Sequence, residues 1–331
     1  MSLIPEIPFS SIINNNDKSI DILKKALTSH GFFSITGHSL SNDLVDHCYK
    51  SSQEFFKLNI ETKLQYHDKK LKGARGYTPN GIETALGENI PDQKEFWHHG
   101  PIVDDSFDQR VSKNLFINEV VDFNKNYDNL FNELNQIGSQ LLSAIALTLN
   151  LDSNYFNNWI NKGNSLLRSI HYPAVISGNN QYRARAHEDI NLITLLIGAE
   201  EGGLEILNND GRWIKVNPSS NAIVCNIGDM LQLVTGNKLK STTHRVMNYE
   251  NHGNKSRYSI PFFLHPSPNT LLKSIYDHAD EGVLAHDFLE ERLNAIILYY
   301  YHDILIHTSD YYWFYWSYSY SNTFFWKYKN H

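Results

Sequence analysis

Residues 185–197 read RAHEDINLITLLI, a charged segment followed directly by an apolar one. The run over residues 192–197 has the length and the β-branched content of a buried strand. If the charged segment before it is extended, side chains at positions i and i+2 point to the same side. His187 and Asp189 then converge on one point, and Glu188 points away from it.

Short β-rich runs, separated by turn residues, surround this segment. They cover residues 166–172, 192–197, 204–207, 213–216, 222–226, 230–235 and 258–264. Asn209-Asp210-Gly211 stands between two of these runs and predicts a hairpin. Several short strands at this spacing indicate an antiparallel sandwich or barrel and not a βαβ sheet.

The chain before about residue 165 predicts mainly helix. Its clearest helix, over residues 120–149, carries a continuous apolar stripe at helical spacing. Residues 31–35 predict a short strand, and the Gly- and Pro-containing segment 72–101 predicts a loop with short strands. Residues 287–298 predict a further helix after the β-rich region.

We therefore expect three regions. Residues 1–165 form a mainly helical part that packs on the core, and residues 166–298 contain the β-rich core and the helix after it. Residues 299–331 form an aromatic-rich tail to which the sequence assigns no role. The chain has no recognisable linker before the tail, so residues 1–298 are expected to fold as one unit.

Composition excludes several classes of protein. The chain has 331 residues, of which 41% are hydrophobic, enough for a sizeable core. Its net charge of −7 argues against a protein that binds nucleic acid by neutralising phosphates. Two cysteines, Cys48 and Cys225, are too few for a disulfide framework or a thiolate zinc cluster. No apolar run is long enough for a membrane span and no signal-peptide pattern is present, so we expect a soluble, cytoplasmic protein.

Two further positions complete a possible metal site. His244 lies several strands beyond Asp189, and two imidazoles with one carboxylate suit a non-haem Fe(II) centre, whereas all-oxygen sites favour Mg²⁺ or Ca²⁺. Arg257 and Ser259 share one face if their segment is a strand, and a guanidinium beside a hydroxyl suits a carboxylate. Singly, each feature also fits a structural role, because a chain with 16 histidines contains His-x-Asp by chance. Only the combination of these features supports the interpretation as a metal site with a neighbouring carboxylate-binding pair.

Taken together, these segments resemble the Fe(II)/2-oxoglutarate-dependent dioxygenases of the isopenicillin N synthase-like superfamily. The run over residues 187–196 is similar to the family's first metal motif, and Arg257-x-Ser259 is similar to its carboxylate-binding motif. Residues 203–206, 226–232 and 240–246 match the segments between them, and residues 7–8, 31–33, 73–77 and 94–97 resemble N-terminal runs of bacterial-type members. The resemblance covers residues 5–298.

The resemblance implies an α+β fold in which a double-stranded β-helix, or jelly roll, is flanked by helices from the N-terminal half. It implies that the catalytic metal ligands His187, Asp189 and His244 bind Fe(II). Arg257 and Ser259 would hold the distal carboxylate of the cosubstrate 2-oxoglutarate, and Tyr172 would add a hydrogen bond. With O2, 2-oxoglutarate would be converted to succinate and CO2.

The main substrate is expected to be a small molecule, oxidised by hydroxylation, desaturation or oxidative cyclisation. Arg75, Tyr77, Arg183 and Arg185 are candidate substrate residues, and this excess of basic groups hints at an amino-acid-like or acidic metabolite. We expect no nucleic-acid partner, and the sequence sets no oligomeric state.

Two other functions stay open from the sequence. The first is an oxidase of the same fold that needs no 2-oxoglutarate, because Arg257 and Ser259 could instead hold the carboxylate of a substrate. The second is a non-catalytic binding protein that retains the fold, although the intact set of ligands argues against it.

Overall fold

The computed structural model describes residues 4–71, 73–83, 92–174, 182–198, 202–248 and 255–295. The aromatic-rich tail over residues 299–331, and the last three residues of the helix expected over 287–298, lie outside the described residues. Residues 285–295 are helical, which confirms the described part of that helix.

The described chain contains helices and strands in both halves. The helices are α1 (Phe9–Ile13), α2 (Asp17–Ser29), α3 (Asn42–Phe56), α4 (Ile60–Leu64), α5 (Phe123–Thr148), α6 (Asn157–Ile160), α7 (Asp229–Val234) and α8 (residues 285–295), with a 3₁₀ helix at Lys69–Leu71. The strands are β1 (Glu6–Pro8), β2 (Phe32–Thr36), β3 (Gly76–Thr78), β4 (Glu95–His99), β5 (Leu166–Tyr172), β6 (Tyr182–His187), β7 (Ile193–Ile197), β8 (Leu204–Leu207), β9 (Trp213–Lys215), β10 (Ile223–Ile227), β11 (His244–Met247), β12 (Arg257–Leu264), β13 (Leu271–Leu272) and β14 (Val283–Leu284).

The largest sheet has eight strands in the order β1-β2-β10-β7-β12-β5-β4-β3. Only the β1–β2 pair is parallel; the other neighbouring strands are antiparallel. The N-terminal region thus supplies four strands of this sheet as well as helices. The expected strand over residues 31–35 forms as β2, and the loop expected over residues 72–101 contains β3 and β4.

A second, four-stranded antiparallel sheet has the order β6-β11-β8-β9. Its β8–β9 pair is the hairpin predicted from Asn209-Asp210-Gly211, with Leu207 opposite Trp213. Apolar residues from both sheets form one buried group, here called the interior cluster. Its members are Ile4, Phe32, Phe96, Ile170, Tyr172, Ala184, Leu204, Ile206, Val216, Val224 and Val246. The two sheets therefore face each other across this cluster, as the predicted jelly roll requires.

The other face of the large sheet is covered by helices, among which α5 is the longest. Its predicted apolar stripe is buried in a second and larger group, here called the helix-side cluster, which also includes Leu195 of β7 and Leu264 of β12. A Cβ atom at Gly138 of α5 would lie 3.1 Å from the side chain of Leu264. The glycine lets the helix approach the sheet closely, and the sheet is buried on both faces.

One expected strand is a helix. Residues 230–235 are apolar and were expected to be extended, but Asp229–Val234 forms α7. Gly228 precedes the helix in an extended conformation, and Asp229 places a negative charge in its first turn, where the helix dipole favours it. An apolar run this short does not distinguish a strand from a buried helical turn, and the prediction of a strand was therefore wrong.

Within the described ranges, every helix is too short or too polar to cross a lipid bilayer.

Candidate metal centre

His187 and His244 are placed by the pairing of two neighbouring strands. His187 ends β6 and His244 begins β11, and the two residues lie directly opposite each other in the antiparallel register. Side chains of directly opposed residues lie on the same face of a sheet. The centroids of their imidazole rings are accordingly 4.4 Å apart.

Backbone carbonyls orient both imidazole rings. Nδ1 of His187 lies 2.7 Å from the carbonyl oxygen of Arg185, and Nδ1 of His244 lies 3.1 Å from that of Thr242. A carbonyl only accepts, so Nδ1 donates the hydrogen bond in each ring, and Nε2 is the nitrogen left for another contact. Burial and the neighbouring His244 lower the pKa of His187 to about 4, so the ring is neutral at pH 7. His187 therefore offers Nε2 in the form that metals bind, and Nε2 of His244 is likewise left for a metal ion by the hydrogen bond on its Nδ1.

Asp189 reaches the same point from a loop. The sequence predicted that His187 and Asp189 share the face of an extended segment, but β6 ends at His187 and residues 188–190 are not strand. The loop is fixed instead by α7, because the backbone N–H of Asp229 donates to the carbonyl of Asp189 at 2.7 Å. The predicted convergence holds, although its geometric cause is different.

Two hydrogen bonds hold the carboxylate of Asp189. Its Oδ2 accepts from Thr194 Oγ1 at 2.6 Å and from Asn226 Nδ2 at 2.7 Å. Burial would raise the pKa of Asp189, but the two imidazoles and these two donors outweigh it and lower the pKa. The other oxygen, Oδ1, lies 3.8 Å from Nε2 of His244.

The three side chains form a donor set that fits a metal ion. One ligand atom from each of His187, Asp189 and His244 lies within 4.8 Å of the others. Two nitrogens and one carboxylate oxygen on one side suit Fe(II) with open positions for further ligands. Glu188 is exposed and accepts a hydrogen bond from the hydroxyl of Thr243, so it faces away as the sequence predicted.

The three residues expected to bind 2-oxoglutarate also meet. Arg257 lies opposite Tyr172 in the β12–β5 pair, and its guanidinium carbon is 5.5 Å from the centre of the tyrosine ring. Ser259 follows on the same face of β12, and all three residues are buried. Because Tyr172 belongs to the interior cluster, this face is the one that looks into the jelly roll.

The four expected substrate residues each have hydrogen-bond partners of their own within the protein. Arg75 is buried and donates to the Asn164 side chain, Arg183 donates to the carbonyl of Lys255, and Arg185 donates to Asp92. Tyr77 lies in the helix-side cluster, where its hydroxyl donates to Glu95 at 2.5 Å. The structure does not bring Tyr77 to His187, Asp189 and His244.

Sequence reasoning missed the residues that hold Asp189. Thr194 interrupts the apolar run of β7, and Asn226 interrupts that of β10, so each is a polar residue inside a buried strand. That interruption was the available signal, because buried polar side chains need hydrogen-bond partners.

Comparisons with known proteins agree with this geometry. The family model for the 2OG-Fe(II) oxygenase superfamily matches residues 163–266, and that for the N-terminal region of non-haem dioxygenase in morphine synthesis matches residues 4–120. A 2-oxoglutarate-dependent dioxygenase from Didymella fabae is 34% identical over 263 residues, which cover 74% of this chain and 78% of that protein.

Solved structures show the same fold. A 2OG-Fe(II) oxygenase family protein from Caulobacter crescentus is 38% identical, with a TM-score of 0.82 over 89% of this chain and 100% of that one. A full-length Neurospora crassa protein, solved in complex with alpha-KG, is 28% identical, with a TM-score of 0.78 over 88% of this chain and 95% of that one. The chain belongs to the 2OG-Fe(II) oxygenase superfamily, and it is an oxidoreductase that uses Fe(II), 2-oxoglutarate and O2.

Proposed function

We propose that His187, Asp189 and His244 hold Fe(II) in this enzyme. The observation that carries the proposal is the convergence of one donor atom from each residue within 4.8 Å. The hydrogen bonds on Nδ1 of each imidazole and on Oδ2 of the carboxylate leave Nε2, Nε2 and Oδ1 for the metal. Such outer contacts orient metal ligands and keep them in the required form.

Arg257, Ser259 and Tyr172 hold the distal carboxylate of 2-oxoglutarate. A guanidinium can form two parallel charge-assisted hydrogen bonds to a carboxylate, and the hydroxyls of Ser259 and Tyr172 each add a donor. Fe(II), when bound, supplies the oxidation chemistry that converts 2-oxoglutarate to succinate and CO2. The chain contributes buried side chains that position the reactants.

The main substrate is a small, amino-acid-like or acidic metabolite, which is hydroxylated, desaturated or oxidatively cyclised. Support comes from Arg75 and Arg183, which are buried, and from Arg185, whose side chain is 11% exposed, since an excess of positive side chains favours a ligand of negative charge. A second structure of the Neurospora crassa protein, whose aligned part is 27% identical to this chain, contains alpha-KG and thymine. Thymine is a small molecule.

The test measures 2-oxoglutarate turnover. Purified protein with Fe(II) and O2 should release succinate from 2-oxoglutarate, faster when a pool of small organic acids is added. The variant Asp189→Ala should release none above background. Oxidation of an added acid without 2-oxoglutarate would refute the assignment of Arg257, Ser259 and Tyr172, because the same groups would then serve a substrate carboxylate.

A further inference from the structure

A second set of polar side chains lies beside the proposed metal ligands on the interior face of the large sheet. Thr194, which donates to Asp189, is directly opposite Phe263 in the β7–β12 pair. The guanidinium carbon of Arg168 lies 5.5 Å from the ring centre of Phe263 and 4.3 Å from that of Phe96. Arg168 is therefore separated from the metal-binding carboxylate by two neighbouring side chains.

Arg168 is held in one orientation. Its Nε donates to Nε2 of His98, whose Nδ1–H in turn donates to the carbonyl of Gly73. Burial and the charge of Arg168 lower the pKa of His98 well below its ordinary value, so this ring is a neutral acceptor. Nη1 of Arg168 contacts the carboxylate of Glu83 at 3.2 Å and 3.3 Å. Together with stacking on Phe96, these contacts fix the plane of the guanidinium.

The fixed guanidinium has donors left over. The acceptors of Arg168 among the described residues take Nε and Nη1, and none of them takes the two N–H groups of Nη2. The side chain is 18% exposed, so these donors are not sealed in the core. A partly buried, preorganised cation of this kind is suited to binding an anion.

The carboxylate of Glu83, which Arg168 contacts, belongs to a network of ion pairs. A chain of ion pairs runs from Arg185 of β6 through Asp92 to Lys94, at 3.1 Å and 3.0 Å, and on from Lys94 to Glu83 at 3.0 Å. Glu83 is thus shared between Lys94 and Arg168. Because Glu83 also contacts Lys94, it compensates the charge of Arg168 only in part.

We propose that Arg168 is a specificity-determining residue of this enzyme and that the main substrate is an acid whose carboxylate binds Nη2 of Arg168. The inference rests on the proposed function and narrows its substrate class. The bound acid lies on the β4–β5 side of the jelly roll, next to the metal, and 2-oxoglutarate occupies the separate end marked by Arg257. The acid brings a negative charge to a guanidinium that Glu83 compensates only in part.

The chain offers a closely matched control arginine. Arg245 of β11 is 16% exposed, donates to Glu205 at 2.9 Å and 2.7 Å, and stacks on Trp213 at 3.9 Å. Arg168 and Arg245 differ in the face of the sheet on which they lie. Because successive side chains on a strand alternate between faces, Arg245 faces away from its neighbour His244. Arg245→Gln therefore removes a stacked, carboxylate-paired strand arginine without touching the interior.

The experiment measures binding to protein loaded anaerobically with Fe(II) and saturating 2-oxoglutarate. Benzoate and cyclohexanecarboxylate serve as acid probes, and their primary amides serve as neutral isosteres, all titrated by calorimetry. We expect at least one acid to bind about tenfold or more tightly than its amide. A tenfold preference corresponds to about 1.4 kcal/mol. In Arg168→Gln the preference for the acid over its amide should fall to less than about twofold. The affinity of this variant for 2-oxoglutarate should change less than about twofold. Arg245→Gln should behave as wild type.

The outcomes separate this inference from the proposed function. Equal binding of acids and amides, no binding of either acid, or an unchanged preference in Arg168→Gln would overturn the role of Arg168. Failure of the wild-type protein to bind Fe(II) or 2-oxoglutarate would instead overturn the proposed function. If Arg168→Gln does not fold, Arg168→Lys provides the same test. It keeps the charge but loses the planar fork, so the acid probe should bind more weakly, and wild-type affinity would contradict the proposal.

Discussion

The hydroxyl of Thr194 should control how tightly the enzyme binds iron, although it touches no metal. Thr194 is buried, and its Oγ1 lies 2.6 Å from Oδ2 of Asp189. Thr194→Val removes this donor and keeps the shape of the side chain. Asn226 remains as the second donor to Oδ2, so the carboxylate loses one of two restraints.

The expected magnitude follows from the kind of bond removed. A hydrogen bond to a charged group contributes about 1.5–3 kcal/mol, and loss of a contact that orients a metal ligand weakens metal binding about 10- to 100-fold. Metal-free Thr194→Val loses the same bond, so part of the cost cancels between the two states. We therefore expect the lower part of that range, a rise of about 10- to 30-fold in the Kd for Fe(II).

Anaerobic calorimetric titration with Fe(II) measures this effect. The control is Thr148→Val, which removes another buried hydroxyl, one that donates to the carbonyl of Ile145 at 2.7 Å at the end of α5. Thr148→Val should bind Fe(II) as tightly as wild type. Unchanged affinity in Thr194→Val, or equal losses in both variants, would refute the reasoning that Asp189 is positioned through Thr194.

Three further predictions concern the ligands, the cosubstrate and pH. His187→Ala should abolish Fe(II) binding, whereas Glu188→Ala should change the Kd less than about twofold, as judged by the same titration; similar losses would contradict the outward placement of Glu188. Arg257→Gln should weaken 2-oxoglutarate binding by at least about tenfold, since charged hydrogen bonds contribute about 1.5–3 kcal/mol, and leave Fe(II) binding intact; an unchanged 2-oxoglutarate Kd would exclude Arg257 from that role. Burial lowers the pKa of His265 to about 4, so between pH 6.5 and 4 the unfolded chain binds a proton that the folded chain does not. The free energy of unfolding should therefore fall as pH drops through this window, by about 1.4 kcal/mol per pH unit for this residue. Measured by urea unfolding of the metal-free protein, the dependence of this free energy on pH should be shallower in His265→Gln than in wild type. An equal dependence would mean that His265 is not held neutral.

The sequence predicted the parts of the fold that local pattern determines. The β8–β9 hairpin follows from Asn209-Asp210-Gly211, and α5 follows from a long apolar stripe. Both signals are local, because each lies within the segment whose structure it predicts. The His187–His244 pair was also predicted, but through family resemblance. Nothing in the spacing of the two residues shows that their strands lie side by side.

The faces of the strands in the large sheet could not be predicted in the same way. Helices cover one face and the second sheet covers the other, so polar and apolar residues do not alternate cleanly along β5. Arg168 therefore gave no sign that it points inward. Arg75 and Tyr77 were both expected to contact the substrate from an aperiodic loop, but β3 begins at Gly76, whose φ of 79° turns the chain between them.

The most direct test of the metal assignment is anomalous diffraction at the iron absorption edge from crystals grown anaerobically with Fe(II) and 2-oxoglutarate. We predict one strong peak between Nε2 of His187, Oδ1 of Asp189 and Nε2 of His244, with the two oxygens of the keto-acid end of 2-oxoglutarate beside it. A peak at any other position, or 2-oxoglutarate bound with no iron at these three residues, would contradict the assignment.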